Sequence, residues 1–386
     1  MEPASAARAA HPTDDARPAG AVLTIDLGAV RANYRMLKGM LGAAGCAAVL
    51  KANAYGLGAE RVGAALAAEG CTTFFAAHLS EGIALRQTLG SRAAIFVLNG
   101  LHPGSACDCA AAGLVPVLNS LEQLAAWRGE ARRLGRKLPA AVQVDSGMAR
   151  MGLSSRDVEA VQADPLAFEG LTVELVMSHL ARADEADEPS NERQRAAFAR
   201  LAAGLPPAPR SLANSSGIFL GAPFHFDLAR PGAALYGINP TPDLPNPMAP
   251  VIGLQARVIQ ARDVEPGDGI GYGHTAIAAH HLRAATISLG YADGWHRRAE
   301  AAAFLDGIRL PFLGRVSMDS IVIDVTALGD RPLPAGTLVE LIGPHQSVDK
   351  VAAAAGTIGY EVLTSLGDRF HRIFIDDAPL GAGKSS

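Results

Sequence analysis

From residue 45 to about residue 243, short apolar runs rich in β-formers alternate with Ala-rich segments whose apolar positions recur at helical period. This is the pattern of parallel βα units. The runs are CAAVLKANAY, CTTFFAAH, AAIFVLNG, LVPVLNS, AAVQVDS, TVELVMSH, RSLANSS and HFDLARPG. Between them stand helix-like stretches such as AERVGAALAAEG, SLEQLAAWRGEARRLG and ERQRAAFARLAAG, several opening on Ser or Asn caps. Eight successive units predict an α/β fold, a closed (β/α)8 barrel of the TIM type over residues 21–243. An open doubly wound sheet is the alternative, but it needs a topological switch and usually a Gly-rich phosphate turn. Gly56-x-Gly58 lacks the third glycine of such a turn.

After the Pro-rich linker NPTPDLPNPMAP the texture changes to hairpin-sized strands, among them LQARVIQARDV, RAATISLGYADG, IRLPFLGRVSMD and SIVIDVTAL. Turn residues punctuate them, so residues 244–386 read as a separate, mostly-β domain. The run VLTIDL at 22–27 precedes the eight units and is available to pair with that domain, which would clasp the two ends of the chain. Residues 1–20, rich in Ala and Pro with mixed charge, read as a disordered tail without the apolar stretch of a secretory signal. Gly, Pro or a charge breaks every apolar run before it could span a bilayer.

A length of 386 residues agrees with two domains. Acidic residues outnumber basic ones, 38 to 34, and no basic stripe interleaved with aromatics occurs. Nucleic acid and anionic membrane are therefore not expected partners, and a small neutral or zwitterionic substrate fits better. Cys46, Cys71, Cys107 and Cys109 all fall in the first third. A reduced cytoplasm explains them without a disulfide framework. The C-D-C at 107–109 has no further Cys or His at ligand spacing, so no metal site is expected.

Polar residues collect at the C-terminal ends of the barrel runs: Lys51, His78, Asn99, Asn119, Asp145, His179, Asn214 with Ser215, and Arg230. In such barrels that rim carries the active site. A lysine there, partly desolvated, has its ammonium form disfavoured, and its free amine becomes a nucleophile or base. Lys51 thus reads as a Schiff-base lysine; the other reading is a rim lysine paired with a carboxylate. An aldehyde cofactor bearing a phosphate needs hydroxyls and free backbone N–H groups, which Asn214-Ser215-Ser216-Gly217 and Arg230-Pro231-Gly232-Ala233 could supply. Read alone, the first of these is an ordinary helix cap and Arg230 a surface cation before a turn.

The motifs VLKANAYGLG, VDSGMARMG, SHLA, ANSSG, ARPGAALYG, GYGHT, SLGYADGW, GRVSMD and GTIGYE follow one another in this order. By them the chain resembles, from about residue 20 to its end, the alanine racemases, pyridoxal-phosphate enzymes built from a barrel and a β domain. The resemblance implies that Lys51 carries the cofactor covalently and that Tyr55, Ser215, Gly232, Ala233 and Tyr360 hold its phosphate, with Asn214 in the same binding set. It sets His179 beside the pyridine ring and Arg230 at the ring nitrogen. A guanidinium stays charged and gives the ring no proton, so the ring is a poor electron sink. That disfavours decarboxylation and leaves a brief α-proton exchange.

Racemisation requires a base on each face of the reacting carbon. The resemblance makes Lys51 one base and Tyr272 in GYGHT the other, lent by the β domain of a partner chain in a head-to-tail homodimer. A phenol keeps its proton near neutrality unless cations stand beside it, and His179 and Arg230 are the neighbours the resemblance offers. Arg150 and the backbone N–H of Met318 would bind the substrate carboxylate. Tyr291, Arg297, Arg315 and Ile358, with Tyr360, resemble the lining of a narrow entrance.

Three positions depart from the family pattern. Leu57 stands where many relatives have histidine, Gln143 where many carry a carboxylated lysine that braces the substrate-binding arginine, and Ser320 in place of the commoner amide. The function implied is interconversion of L- and D-alanine, supplying D-alanine for peptidoglycan. A broad-specificity or serine racemase of the same architecture is the nearest alternative, since one methyl or hydroxyl changes pocket preference by only a few kcal/mol. A non-catalytic pyridoxal-phosphate carrier would resemble the barrel alone, and the β domain with Tyr272 and Met318 counts against it.

Overall fold

A computed structural model of the chain describes residues 19–299 and 301–376. Residues 1–18, most of the segment read as a disordered tail, lie outside the described residues. Contacts divide the chain into two compact units. One comprises Asp26–Ile252 with Ile358–Thr364; the other comprises Gly253–Thr357 and Ser365–Phe374 with the chain up to Ile25.

The first unit is the barrel. Seven strands lie parallel in chain order, from Ala48–Val49 through Thr73–Ala76, Ala94–Val97, Val115–Leu118, Leu138–Gln143 and Leu171–Met177 to Arg210–Ser211. The eighth, Leu228–Ala229, pairs in parallel with Gly45–Cys46, the segment just before Ala48–Val49. Backbone bonds complete the closure. Asp227 N–H donates to Arg210 O and Arg230 N–H to Ala213 O, both at 2.9 Å, while Val49 N–H donates to Pro231 O at 3.0 Å. Each of the eight strands overlaps one of the eight apolar runs, and six lie wholly inside theirs; Leu138–Gln143 starts two residues ahead of AAVQVDS and Leu171–Met177 one residue ahead of TVELVMSH. Residues such as Phe74, Phe75 and Val117 have no exposed surface, because helices cover one face of a parallel sheet and barrel layers fill the other.

The helices start and stop where local chemistry dictates. Ser120 caps Leu121–Leu134 by accepting from Gln123 N–H, and Gly135, at φ 62°, ends it in the left-handed region. This helix turns Trp127 fully inward, where its indole N–H donates to Pro139 O at 2.9 Å. Ser154 and Asp157 form a reciprocal capping box at the start of Ser155–Ala163.

The second unit is antiparallel. Its long strand Ile252–Val264 pairs with Leu338–Ile342 along one stretch and with Leu282–Ile287 along the next. Successive pairing through Ile321–Asp324, Ile308–Leu313 and Ala302–Leu305 returns to Leu338–Ile342, so six strands form a closed ring. Ala21–Asp26 joins this sheet between Ile252–Val264 and His371–Ile375, as the VLTIDL run suggested. Among the described residues no helix is long and apolar enough to cross a membrane.

Candidate active site

Lys51 does not stand at a plain strand end. It opens the helical segment Lys51–Tyr55, in which Ala52, Asn53, Ala54 and Tyr55 have φ of 52°, 54°, 54° and 56°. This is one turn of left-handed helix, a conformation that costs an L-residue roughly 1–2 kcal/mol at each position. Ala54 N–H bonds Leu50 O at 2.9 Å and Gly56 N–H bonds Ala52 O at 2.7 Å. Gly56 follows at φ 83°, where a Cβ would stand 2.6 Å from Leu363 O, so only glycine fits.

The turn delivers Lys51 and Tyr55 to a cavity of about 370 Å³ at the barrel mouth, within the size range of small-molecule sites. Burial pushes the Lys51 ammonium below its ordinary pKa, the Arg150 cation pushes it the same way, and Glu81 opposes both. The free amine is therefore more accessible near neutrality than for a solvated lysine.

Opposite lies a buried cation. One Arg230 terminal nitrogen donates to Ser211 Oγ; the other donates to Ser178 O at 2.6 Å and to His179 Nδ1 at 3.4 Å. Complete burial pushes Arg230 down to about 9, which leaves it charged at neutral pH. The half-buried His179 ring borders the cavity. Burial, then Arg230, Arg150 and Lys51, push its pKa down to about 3. Here the sequence-based expectation is corrected. His179 is neutral at physiological pH and is no cationic neighbour, because Arg230, Arg150 and Lys51, from three separate segments of the barrel, meet around a desolvated imidazole.

Ser215 and Tyr55 stand at another wall. Ser215 Oγ accepts from Gly232 N–H at 3.0 Å and Ala234 N–H at 3.1 Å, leaving its own proton to donate. Gly232 thus contributes room rather than a spare N–H: a Cβ there would stand 2.4 Å from the Tyr55 hydroxyl oxygen. Tyr55 packs between Tyr236, at a ring distance of 4.7 Å, and Tyr360, at 5.9 Å. Asn214 borders the cavity with Ala233, and its side-chain oxygen caps Ser215–Phe219 by accepting from Gly217 N–H.

Arg150 reaches the cavity from a loop that Asp145 organises by accepting from the N–H groups of Gly147, Met148 and Ala149. Burial alone would raise the Asp145 pKa, but these three donors outweigh it and the net shift is downward. Gln143 is buried, and its amide donates to Met151 O at 3.2 Å, bracing the backbone next to Arg150. Leu57 is fully buried.

The remaining sequence-selected residues form a second set. Tyr272 lies in the β unit, 70% exposed, in the one-turn helix Tyr272–His274. The short hairpin of Gly269–Ile270 with Ala276–Ile277 brackets it, and Gly271 and Gly273 take φ of 68° and 69°. Met318 and Tyr291 are exposed in the same unit, joined through the Tyr291 N–H to Ser317 O and Ala292 N–H to Met318 O bonds. Arg297 and Arg315 line a separate cavity of that unit. In the same unit the Ser320 backbone carbonyl accepts from Ser317 N–H at 3.0 Å. Ile358 is exposed and belongs to the barrel unit with Tyr360.

Sequence reasoning missed four supporting residues. Tyr236 donates to Val49 O at 2.8 Å, Ser178 and Ser211 hold Arg230, and Glu81 accepts from Ala52 N–H at 2.7 Å. Only Glu81 carried a signal, since it stands three residues after His78 at capping-box spacing.

Fold and site together define a barrel enzyme with a desolvated lysine at its mouth and an antiparallel β unit appended. Residues 25–240 match the family description "Alanine racemase, N-terminal domain" and residues 251–374 match "Alanine racemase, C-terminal domain". The chain is 62% identical to "Alanine racemase, catabolic" of Mesorhizobium japonicum, covering 92% of this chain and 94% of the relative. It is 51% identical to the protein of the same name from Agrobacterium fabrum, covering 92% of each. Its fold matches a crystal structure of alanine racemase from Bartonella henselae with covalently bound pyridoxal phosphate. The TM-score is 0.89 and the identity 42%, over 93% of this chain and 100% of that one. The chain belongs to the alanine racemase family, whose enzymes are pyridoxal-phosphate-dependent isomerases.

The cavity suits that cofactor chemically. It offers a desolvated amine to an aldehyde, a buried fixed cation to a ring nitrogen, and the hydroxyls of Tyr55 and Ser215 to a phosphate.

Proposed function

We propose that this chain interconverts L- and D-alanine with pyridoxal phosphate held at the barrel mouth. The observation that carries the reading is the Lys51 amine, desolvated and facing Arg230 and His179 across one cavity. Tyr55, Ser215, Asn214, Gly232, Ala233 and Tyr360 would hold the phosphate end, and Arg230 the ring nitrogen. When bound, the cofactor supplies electron withdrawal from the substrate's α-carbon, which makes its proton removable.

The chain's own residues supply the rest. Lys51 removes or returns the proton on one face of the α-carbon. Tyr272 of the partner subunit does so on the other, which makes the working unit a homodimer. Charged Arg230 keeps its protons, so the ring does not become a deep electron sink and decarboxylation is disfavoured. Arg150 and the Met318 N–H bind the substrate carboxylate, with Gln143 bracing Met151 behind Arg150. Tyr291, Arg297, Arg315 and Ile358 would line the approach. The four free cysteines support a reducing, cytoplasmic setting.

The names of the Mesorhizobium and Agrobacterium relatives favour a role in alanine breakdown over the supply of D-alanine for peptidoglycan implied by the family resemblance. Deleting the gene distinguishes the two. Loss of growth on alanine without a D-alanine requirement supports the catabolic role, and a D-alanine requirement supports the other. The reaction itself is tested by incubating L-alanine with the protein in deuterated water. Racemisation yields D-alanine with deuterium at the α-carbon; a mere cofactor carrier turns yellow and yields none.

A further inference from the structure

Four successive residues with side chains, Ala52 to Tyr55, hold positive φ, and such strain persists only where the surroundings over-determine it. The turn's own hydrogen bonds do not choose its hand. Ala54 N–H to Leu50 O and Gly56 N–H to Ala52 O follow the same i to i−4 pattern that a right-handed turn would form at lower cost. Groups outside the turn must choose it. Tyr55, packed between Tyr236 and Tyr360, holds one end.

Glu81 holds the other. Its Oε1 accepts from Ala52 N–H at 2.7 Å, a first-turn donor without a partner inside the turn. Its Oε2 accepts from Ala77 N–H at 2.8 Å and His78 N–H at 3.1 Å. One carboxylate thus joins the residue after Lys51 to the end of the neighbouring strand Thr73–Ala76. Glu81 is itself fixed on the first turn of the helix Leu79–Leu89.

We propose that Glu81 is a positioning residue for Lys51: its carboxylate clamps the left-handed turn to the second barrel strand and so sets where the Lys51 amine and the Tyr55 hydroxyl enter the cavity. The inference rests on the racemase reading for its purpose, not for its geometry. The chemistry requires a carboxylate, because both oxygens and three N–H groups are engaged. Glutamine presents one acceptor oxygen and turns an amide N–H2 against a backbone N–H, while aspartate is a methylene short.

Glu81 also belongs to the capping box of Leu79–Leu89, and the test must separate that role from the clamp. Hydrogen exchange is measured on the full-length chain as purified for the wild type, Glu81→Gln, Glu81→Asp and the double variant Glu81→Gln/Ala52→Gly. Ala52 is exposed, and glycine there takes positive φ without a Cβ penalty. It lowers the cost of the turn while leaving the helix cap untouched.

The clamp predicts at least tenfold faster exchange over residues 50–57 in Glu81→Gln, a smaller gain in Glu81→Asp, and at least threefold recovery in the double variant. In turnover, kcat falls at least tenfold while KM for alanine stays within threefold, since Arg150 sits on a separate loop. Wild-type exchange over 50–57 in both single variants, or a loss that Ala52→Gly does not reduce at all, overturns the proposal. Exchange is read without any substrate, so its outcome is separate from the deuterium experiment that decides the reaction.

Discussion

The Arg230 guanidinium donates to Nδ1 of His179 at 3.4 Å. A guanidinium has no acceptor, so the imidazole receives on that nitrogen and stays neutral. Its folded-state pKa of about 3 lies below the ordinary 6.5. Between those values the unfolded chain binds a proton that the folded chain refuses, so this contribution to stability is lost as pH falls from about 6.5 towards 3. Its size is about 2 kcal/mol by pH 5. Urea denaturation of the wild type and His179→Gln between pH 7 and pH 5 is expected to show a shallower decline in the variant by that amount.

The close approach of Gly232 to Tyr55 gives a second expectation. Gly232→Ala sets a methyl group 2.4 Å from the phenolic oxygen, and the ring cannot retreat far because Tyr236 packs against it. Overpacking of this kind costs about 1–3 kcal/mol. Thermal denaturation is expected to reveal that loss, and absorbance titration of the cofactor-free variant at least a tenfold weaker affinity for pyridoxal phosphate.

Asp145 shapes the loop that carries Arg150 through three N–H groups. Hydrogen bonds to a charged group contribute roughly 1.5–3 kcal/mol each. Asp145→Ala is expected to raise KM for alanine at least tenfold while changing kcat less than threefold. Steady-state kinetics with both enantiomers checks this.

Lys51→Ala and Tyr272→Phe are each expected to abolish turnover. If the site is shared between subunits, mixing the two inactive variants under conditions of subunit exchange restores about a quarter of wild-type activity or less, because only hybrid dimers own an intact site. Absence of recovery despite exchange confirmed by mass spectrometry contradicts the shared site.

Much of the barrel was legible because its strands are short, continuous apolar runs that a two-faced burial demands; CTTFFAAH contains the whole of the strand Thr73–Ala76. The rim residues were legible for the same reason, as each follows such a run. The left-handed turn was not. Ala52, Asn53 and Ala54 carry no preference for positive φ strong enough to announce four in succession. What holds them comes from Glu81 and Tyr236, far along the chain. The charge state of His179 was equally hidden, since it depends on cations that only strand closure brings together. Tyr360 was visible as part of GTIGYE, yet its packing on Tyr55 rests on the short helix Gly359–Ser365, which contacts group mainly with the barrel.

The strand Ala21–Asp26 lies between Ile252–Val264 and His371–Ile375. During synthesis on the ribosome it emerges before either of its partners, which follow only hundreds of residues later. At about 5–20 residues per second the nascent strand waits tens of seconds with Val22, Leu23 and Ile25 uncovered. Its second edge is sealed only once His371–Ile375 has been made, more than a hundred residues after Ile252–Val264, so the β unit cannot complete its sheet before that late strand is available.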